Sequence, residues 1–92
     1  RLHSSLGWEI SDPLPVHPEF SWIQNQGDID DREMYRTFNM GIGMILAVSD
    51  NVAEKISNWL AQRVPGTQII GEVKNHGRLV THRLDNVRFD NY

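Results

Sequence analysis

The chain has 92 residues, with 9 basic and 12 acidic side chains, a formal net charge of −3 and no cysteine. This length allows one small domain over residues 1–92. The charge balance gives no support for a nucleic-acid or membrane partner, and the lack of cysteine excludes disulfides and thiolate zinc sites. No apolar run approaches the roughly 20 residues that span a bilayer. Because the chain starts at Arg1 and not at methionine, we expect a piece of a longer protein.

The first third of the chain predicts a short strand followed by two helices. Alternating apolar residues indicate a strand around Gly7–Ile10, and a proline-containing extended connector follows it. Pro18 suits the first turn of a helix, and Gly27 is a natural stop. Asp30 is then a candidate N-cap for a second helix, with Glu33 placed as in a capping box.

The middle of the chain predicts a buried strand and an amphipathic helix. Ile42–Val48 is apolar on both faces, which is typical of a central strand covered on both sides. Ser49, Asp50 and Asn51 are good caps for the next helix, which Pro65-Gly66 ends. Its apolar stripe consists of Val52, Ile56 and Leu60.

The last third predicts a hairpin, in which residues 67–74 alternate, residues 75–77 form a turn and Leu79–Arg83 returns. Val87 and Phe89 are candidate anchors of the polar tail. The predicted order is helix, helix, strand, helix, strand, strand. The fold class is therefore α+β, with helices packed on a mostly antiparallel sheet.

Two glycines, Gly41 and Gly43, precede the apolar run and are candidate substrate-contacting positions. They do not form a dinucleotide fingerprint, because Leu46 stands where a third glycine is needed and the pair precedes a strand. Two interpretations remain: a tight turn with close backbone packing, or a place where a substrate approaches the backbone.

Arg36, Thr37 and Asn39 are the candidate polar ligand contacts. A guanidinium can hold a phosphate through two parallel hydrogen bonds, but the sequence alone favours a salt bridge of Arg36 with Asp31 or Glu33, because surface ion pairs are common. Thr37 and Asn39 can bind a ligand, or they can satisfy backbone groups at a helix-to-strand turn.

No metal site is expected from the sequence. The acidic residues Asp28, Asp30, Asp31 and Glu33 lack the glycine of a calcium loop, and carboxylates at a solvated helix start explain them. The histidines are not spaced as zinc ligands. No catalytic constellation is visible, so the catalytic residues are unknown from the sequence.

Residues 33–43 read Glu-Met-Tyr-Arg-Thr-Phe-Asn-Met-Gly-Ile-Gly. Together with Phe20-Ser-Trp-Ile-Gln24 and Ile70-Gly71-Glu72-Val73, this block resembles the C-terminal domain of the phosphoribosylformylglycinamidine cyclo-ligase (AIR synthetase) family. The resemblance covers the whole chain but only the last part of an AIR synthetase, whose N-terminal ATP-binding domain is absent here. We therefore expect an incomplete domain of that kind, in which an exposed sheet edge favours self-association.

The resemblance implies an ATP-dependent ring closure that converts formylglycinamidine ribonucleotide to aminoimidazole ribonucleotide in de novo purine synthesis. It implies cytoplasmic homodimers that need ATP and Mg²⁺, with neither group bound by this part alone. The matching block lies near the substrate cleft of the family, so Arg36, Thr37, Asn39, Gly41 and Gly43 become candidate substrate-binding residues. Arg36 would meet a charged group of the substrate, and Asn39 would orient it.

Two other interpretations remain open. One is a small non-catalytic α+β interaction or ligand-sensing module, which composition alone favours because no catalytic constellation is visible. The other is a different member of the same fold superfamily, such as the amidine synthetase of the same pathway. The unbroken run Thr37–Gly43 favours the cyclo-ligase.

Overall fold

The computed structural model describes residues 5–75, 77, 79–83 and 87–90. Within them, strand β1 precedes three helices, and three further strands follow. The elements are β1 Gly7–Ile10, α1 Pro18–Gly27, α2 Asp31–Thr37, α3 Asp50–Ala61, β2 Gly71–Lys74, β3 Val80–His82 and β4 Arg88–Phe89. This is an α+β fold, as the pattern of residues predicts.

The four strands form one sheet in the order β2-β1-β3-β4. β1 is antiparallel to β2, with Trp8 opposite Val73, and parallel to β3, with Trp8 opposite Val80. β3 and β4 are antiparallel, with Val80 opposite Phe89. Two of these three pairings are antiparallel, which confirms the mostly antiparallel sheet.

Local sequence signals explain the first two helices. Pro18 occupies the start of α1, where a missing N–H costs nothing, and Gly27 is its last residue. The left-handed cap is Asp28, with φ of 50°. The Asp30 carboxylate accepts a hydrogen bond from the Glu33 backbone N–H at 2.8 Å and so caps α2.

Helix α2 contacts strands β3 and β4 of the sheet. Met34 is fully buried at 0% exposure, and Tyr35 on the same helix contacts His82 in β3. The Arg32 guanidinium lies 5.1 Å from the centre of the Phe89 ring, a cation–π contact with β4. The buried apolar side chains of the described residues are Met34, Met40 and Val87, so the predicted anchor Val87 is confirmed.

The predicted central strand Ile42–Val48 is wrong. Residues 42–49 belong to no helix or strand, and Met44, Ile45, Leu46 and Val48 are exposed. A central strand needs a hydrogen-bonded neighbour on each side, and the described sheet is completed by β1 to β4 without this segment. The apolar side chains of this segment therefore stay exposed, and no other described residue covers them.

The predicted hairpin of residues 67–83 is also wrong, because β1 lies between β2 and β3. The inserted strand takes up the hydrogen bonds of both neighbours: the Trp8 N–H donates to the Leu79 carbonyl at 2.7 Å, and the Asp12 N–H donates to the Ile70 carbonyl at 3.0 Å. β2 is also shorter than predicted, and α3 ends at Ala61, before Pro65. The predicted turn residue His76 lies outside the described residues.

Candidate functional site

A cavity of about 420 Å³ lies beneath the turn that follows α2. Its walls come from the extended connector at Pro13, Leu14 and Val16, from the end of β1 at Ile10, and from α2 and β3. The lining is mostly apolar, and Asn39, Tyr35 and His82 bring polar groups to it. A cavity of this size and character suits a small organic ligand.

Asn39 starts the turn at the rim of this cavity. Its Oδ1 accepts a hydrogen bond from the Gly41 N–H at 3.0 Å, and its carbonyl accepts one from the Ile42 N–H at 3.0 Å. Met40 and Gly41 then take left-handed backbone angles, with φ of 53° and 90°. The Asn39 oxygen therefore has a structural role in the turn, while its amide N–H₂ group makes no hydrogen bond to another described residue.

Gly41 is required where it stands. A Cβ atom there would collide with the His17 ring, and φ of 90° disfavours any other residue. Gly43 differs, because a Cβ built on it meets nothing within 4 Å. Gly41 thus fits the interpretation as a tight turn, whereas Gly43 has open space beside its backbone and lines the cavity.

Arg36 and Thr37 lie on an exposed face of α2 with Glu33. The Thr37 hydroxyl donates to Glu33 Oε1 at 2.9 Å, and a guanidinium nitrogen of Arg36 lies 4.0 Å from Glu33 Oε2. The side chains of Arg36 and Glu33 are 65% and 52% exposed, so this ion pair contributes little to stability. The salt bridge between Arg36 and Glu33, one of the two sequence interpretations, is present in the structure.

The structure brings only part of the candidate set together. Asn39 and Gly43 line the cavity, while among the described residues Arg36, Thr37 and Gly41 do not. Arg36 and Thr37 lie one turn or less before Asn39 along the chain. Their roles in substrate binding stay predictions.

A second cavity of about 350 Å³ shares Pro13, Leu14, Val16, Tyr35 and His82 with the first, and Arg83 also lines it. The Tyr35 and His82 rings lie with their centroids 4.5 Å apart. Burial raises the pKa of Tyr35, as does Asp31, while Arg83 opposes the rise. Burial lowers the pKa of His82, with Arg83 adding to the effect and Asp31 opposing it.

Sequence reasoning did not find this aromatic pair. Tyr35 lies inside the matching block, but the sequence assigns it no role. The histidine spacing does not fit a zinc site and assigns no role to His82 either. Strand alternation puts Val80 and His82 on one face, and that signal could have pointed His82 toward the helices.

The acidic residues between α1 and α2 are engaged in local structure. Asp30 caps α2, Asp31 accepts a hydrogen bond from the Gln24 side chain at 2.8 Å, and Glu33 accepts one from Thr37. Among the described residues, no group of three or more His, Asp or Glu side chains is placed to hold a metal ion. In the same part of the chain, no helix has the length and apolar character to cross a membrane.

Comparison with curated proteins finds relatives that bear the name phosphoribosylformylglycinamidine cyclo-ligase. The chain is 37% identical over 82 residues to the protein of Methanopyrus kandleri, covering 89% of this chain and 24% of that one. It is 36% identical over 77 residues to the Methanosarcina acetivorans protein, covering 84% and 22%. With the Geobacter sulfurreducens protein it shares 47% identity over 62 residues, covering 67% and 18%.

The chain thus spans about a quarter or less of the length of these curated relatives. No solved structure matches it. The family model described as "AIR synthase related protein, C-terminal domain" matches residues 2–83, which is most of the chain and includes the turn at Asn39 and the cavity beside it. The chain therefore belongs to the AIR synthase related protein C-terminal domain family.

Proposed function

We propose that this chain forms the substrate-binding C-terminal part of an ATP-dependent cyclo-ligase that closes the imidazole ring of aminoimidazole ribonucleotide. The relatives' shared name supports the activity. The substrate-binding role is supported by the cavity of about 420 Å³, which is mostly apolar and is lined by Asn39 and Gly43. The substrate is formylglycinamidine ribonucleotide.

The rim offers a substrate the amide N–H₂ donor of Asn39 and the open backbone at Gly43. The Asn39 amide group can orient the substrate by hydrogen bonding, since its nitrogen has no bond to another described residue. Gly43 leaves room for the substrate to approach the backbone. Arg36 is mostly exposed and can turn from Glu33 to a phosphate oxygen, where a bidentate contact is stronger than an exposed ion pair.

Among the described residues, no group of three or more His, Asp or Glu side chains is placed to hold Mg²⁺. We assign no step of the reaction to a nucleotide or metal held by this chain, and we propose that both bind in the part of the relatives that this chain does not span. A cytoplasmic homodimer is the assembly that the family resemblance supports for the whole protein.

The interaction-module alternative receives no support from the family match or the named relatives. The shared name of these relatives favours the cyclo-ligase over another member of the same fold superfamily. The cyclo-ligase is therefore the one function that we propose.

A chimaera tests this proposal. The C-terminal part of the Methanopyrus kandleri relative that aligns with this chain is replaced by the chain itself. The matched control carries the relative's own C-terminal part through the same junctions. We expect the chimaera to release ADP and form aminoimidazole ribonucleotide only when ATP and formylglycinamidine ribonucleotide are both present.

A folded chimaera that binds ATP but forms no product, beside an active control, would contradict the proposal. Circular dichroism and the unfolding temperature establish that the chimaera is folded. Binding of ATP is measured separately by calorimetry, so that a loss at the substrate cavity is distinguished from a loss at the nucleotide site.

A further inference from the structure

Residues 39–42 form a turn whose backbone needs support from elsewhere in the chain. The Asn39 carbonyl accepts a hydrogen bond from the Ile42 N–H at 3.0 Å, and both central residues have positive φ, 53° at Met40 and 90° at Gly41. Turns with two left-handed central positions favour glycine and asparagine there. Met40 is neither, so its backbone angle is disfavoured locally and is kept by the packing around it.

His17 supplies packing of this kind from the start of α1. Its ring lies so close to the Gly41 backbone that a Cβ atom on Gly41 would collide with the ring carbon Cδ2 and lie 3.1 Å from Nε2. His17 is also the N-cap of α1, yet its side chain makes no capping hydrogen bond and none to another described residue. The preferred N-caps are serine, threonine, aspartate and asparagine. Capping therefore does not explain this side chain, whereas its contact with the turn does.

A second contact from α1 reaches the residue that precedes the turn. The rings of Phe20 and Phe38 meet edge to face, with centroids 6.1 Å apart and planes at 63°. Such aromatic pairs have a preferred geometry, so this one fixes the chain before the turn. The start of α1 thus contacts the chain on both sides of Asn39. Because Asn39 Oδ1 accepts a hydrogen bond from the Gly41 N–H, the direction of its amide group follows the position of Gly41.

We propose that His17 is a positioning residue for substrate binding, which fixes the turn 39–42 so that the Asn39 amide N–H₂ group faces the substrate. The role in substrate binding rests on the proposed cyclo-ligase function, whereas the effect of His17 on the turn does not. His17 lines neither cavity, so it acts through Gly41 and does not touch the substrate. The contact needs a planar ring at position 17 and no side chain at position 41.

Hydrogen exchange of the 92-residue chain tests whether His17 holds the turn. The Gly41 and Ile42 amides both donate within the turn, so their exchange reports its opening. His17→Ala should speed this exchange at least about fivefold, whereas His17→Phe keeps a planar ring and should stay within about twofold of the wild type. Glu19→Ala is the matched control, because Glu19 is an exposed residue in the first turn of the same helix.

A double-mutant cycle tests the contact between the ring and the turn. Gly41→Ala introduces the methyl group that collides with the His17 ring, and φ of 90° adds a second penalty. In the His17→Ala background the collision is removed, while the backbone penalty remains. The factor by which Gly41→Ala lowers the folding equilibrium constant should therefore be at least about fivefold smaller in that background than in the wild type. Urea unfolding of the four proteins measures both factors.

Kinetics of the active chimaera test whether His17 acts through Asn39. His17→Ala should lower kcat/KM about tenfold, and His17→Phe should restore most of the loss. In the Asn39→Asp background the amide N–H₂ group is already lost, so His17→Ala should cause less than about a twofold further decrease. A residue that only stabilises the fold would lower kcat/KM by the same factor in both backgrounds. Circular dichroism establishes that each variant is folded.

Three results would overturn the proposal. One is equal exchange of the Gly41 and Ile42 amides in the wild type and His17→Ala. Another is an additive double-mutant cycle, which would show that the ring does not contact Gly41 in solution. The third is an equal loss of kcat/KM from His17→Ala with and without Asn39→Asp. A chimaera without any activity would contradict the proposed function instead, and hydrogen exchange and the cycle would still decide whether His17 holds the turn.

Discussion

The ring of Tyr35 in α2 lies against the ring of His82 in β3, with centroids 4.5 Å apart and planes tilted by 43°. This contact joins the helix that follows the Asp30 cap to the second internal strand of the sheet. Tyr35 and His82 each line both cavities. The turn at Asn39 thus follows a helix that contacts the sheet through Tyr35 and His82.

Met34 provides the strongest test of where α2 packs. Its side chain is fully buried, whereas that of Met44 is 80% exposed. Met34→Ala should lower the free energy of unfolding by about 2–5 kcal/mol, because it leaves a cavity in the small core. Met44→Ala should change it by less than about 0.5 kcal/mol. Urea unfolding measures both, and equal losses would contradict the packing of α2.

Gly71 and Gly43 should respond differently to an added methyl group. A Cβ at Gly71 would meet the Glu9 carbonyl of β1, while a Cβ at Gly43 meets nothing within 4 Å. Gly71→Ala should therefore separate β1 from β2 and lower the free energy of unfolding by about 1–3 kcal/mol. Hydrogen exchange of the β1 amides should rise in Gly71→Ala and stay unchanged in Gly43→Ala. Unchanged exchange in both variants would contradict the β1–β2 register.

His82 should make the chain less stable in mild acid. Burial and Arg83 lower the pKa of His82 below its ordinary 6.5, against the opposing effect of Asp31. The unfolded chain then binds a proton more readily than the folded one, so stability is complete above pH 6.5 and declines as pH falls toward the folded pKa. His82→Phe keeps a ring against Tyr35 and removes this titration.

Unfolding free energies measured between about pH 7.5 and pH 5.5 should thus fall more steeply in the wild type than in His82→Phe. The wild type and His82→Phe differ only at this position, so the difference between the two curves isolates His82. Parallel curves would show that His82 meets the same environment in the folded and unfolded chain.

Arg36 and Asn39 are tested in the active chimaera described above. Arg36→Ala should lower kcat/KM about 10- to 100-fold through the loss of a charge-assisted contact, with little change in stability because Arg36 is 65% exposed. Asn39→Asp keeps the oxygen that accepts the Gly41 N–H but replaces the amide N–H₂ group. It should preserve the turn and still lower kcat/KM.

Val64→Ala is the control outside the candidate site, because Val64 is 58% exposed and lines neither cavity. Wild-type kinetics in both Arg36→Ala and Asn39→Asp would remove these residues from the substrate site. Loss of the folded structure in Asn39→Asp would instead show that the turn needs a neutral amide.

Local signals in the sequence predicted the elements that depend on a few neighbouring residues. Pro18 marked the start of α1, Asp30 capped α2, and strand alternation located β1 at Gly7–Ile10. These features rest on backbone sterics and on hydrogen bonds that span a turn or less, so they can be read without knowledge of distant residues. The matching block around Asn39 likewise indicated the family.

The cavity lining was predicted only in part, because it comes from segments that lie far apart in the chain. Asn39 and Gly43 line the cavity, and the sequence named both as candidate substrate-binding residues. The Tyr35–His82 contact, the collision of a Gly41 side chain with His17, and the lining by Leu14 each join segments far apart in the chain. Composition carries no information about which distant segments meet.

The sequence by itself determined the α+β class, the Asp30 cap of α2, the family and the candidate turn, because local geometry and a specific residue block encode them. Tertiary structure alone decided that β1 separates β2 from β3, and that residues 42–48 remain outside the sheet. An apolar run indicates that burial would be favourable. Whether the run is buried depends on whether another segment packs against it. In this chain the described strands pair with one another and leave that surface open.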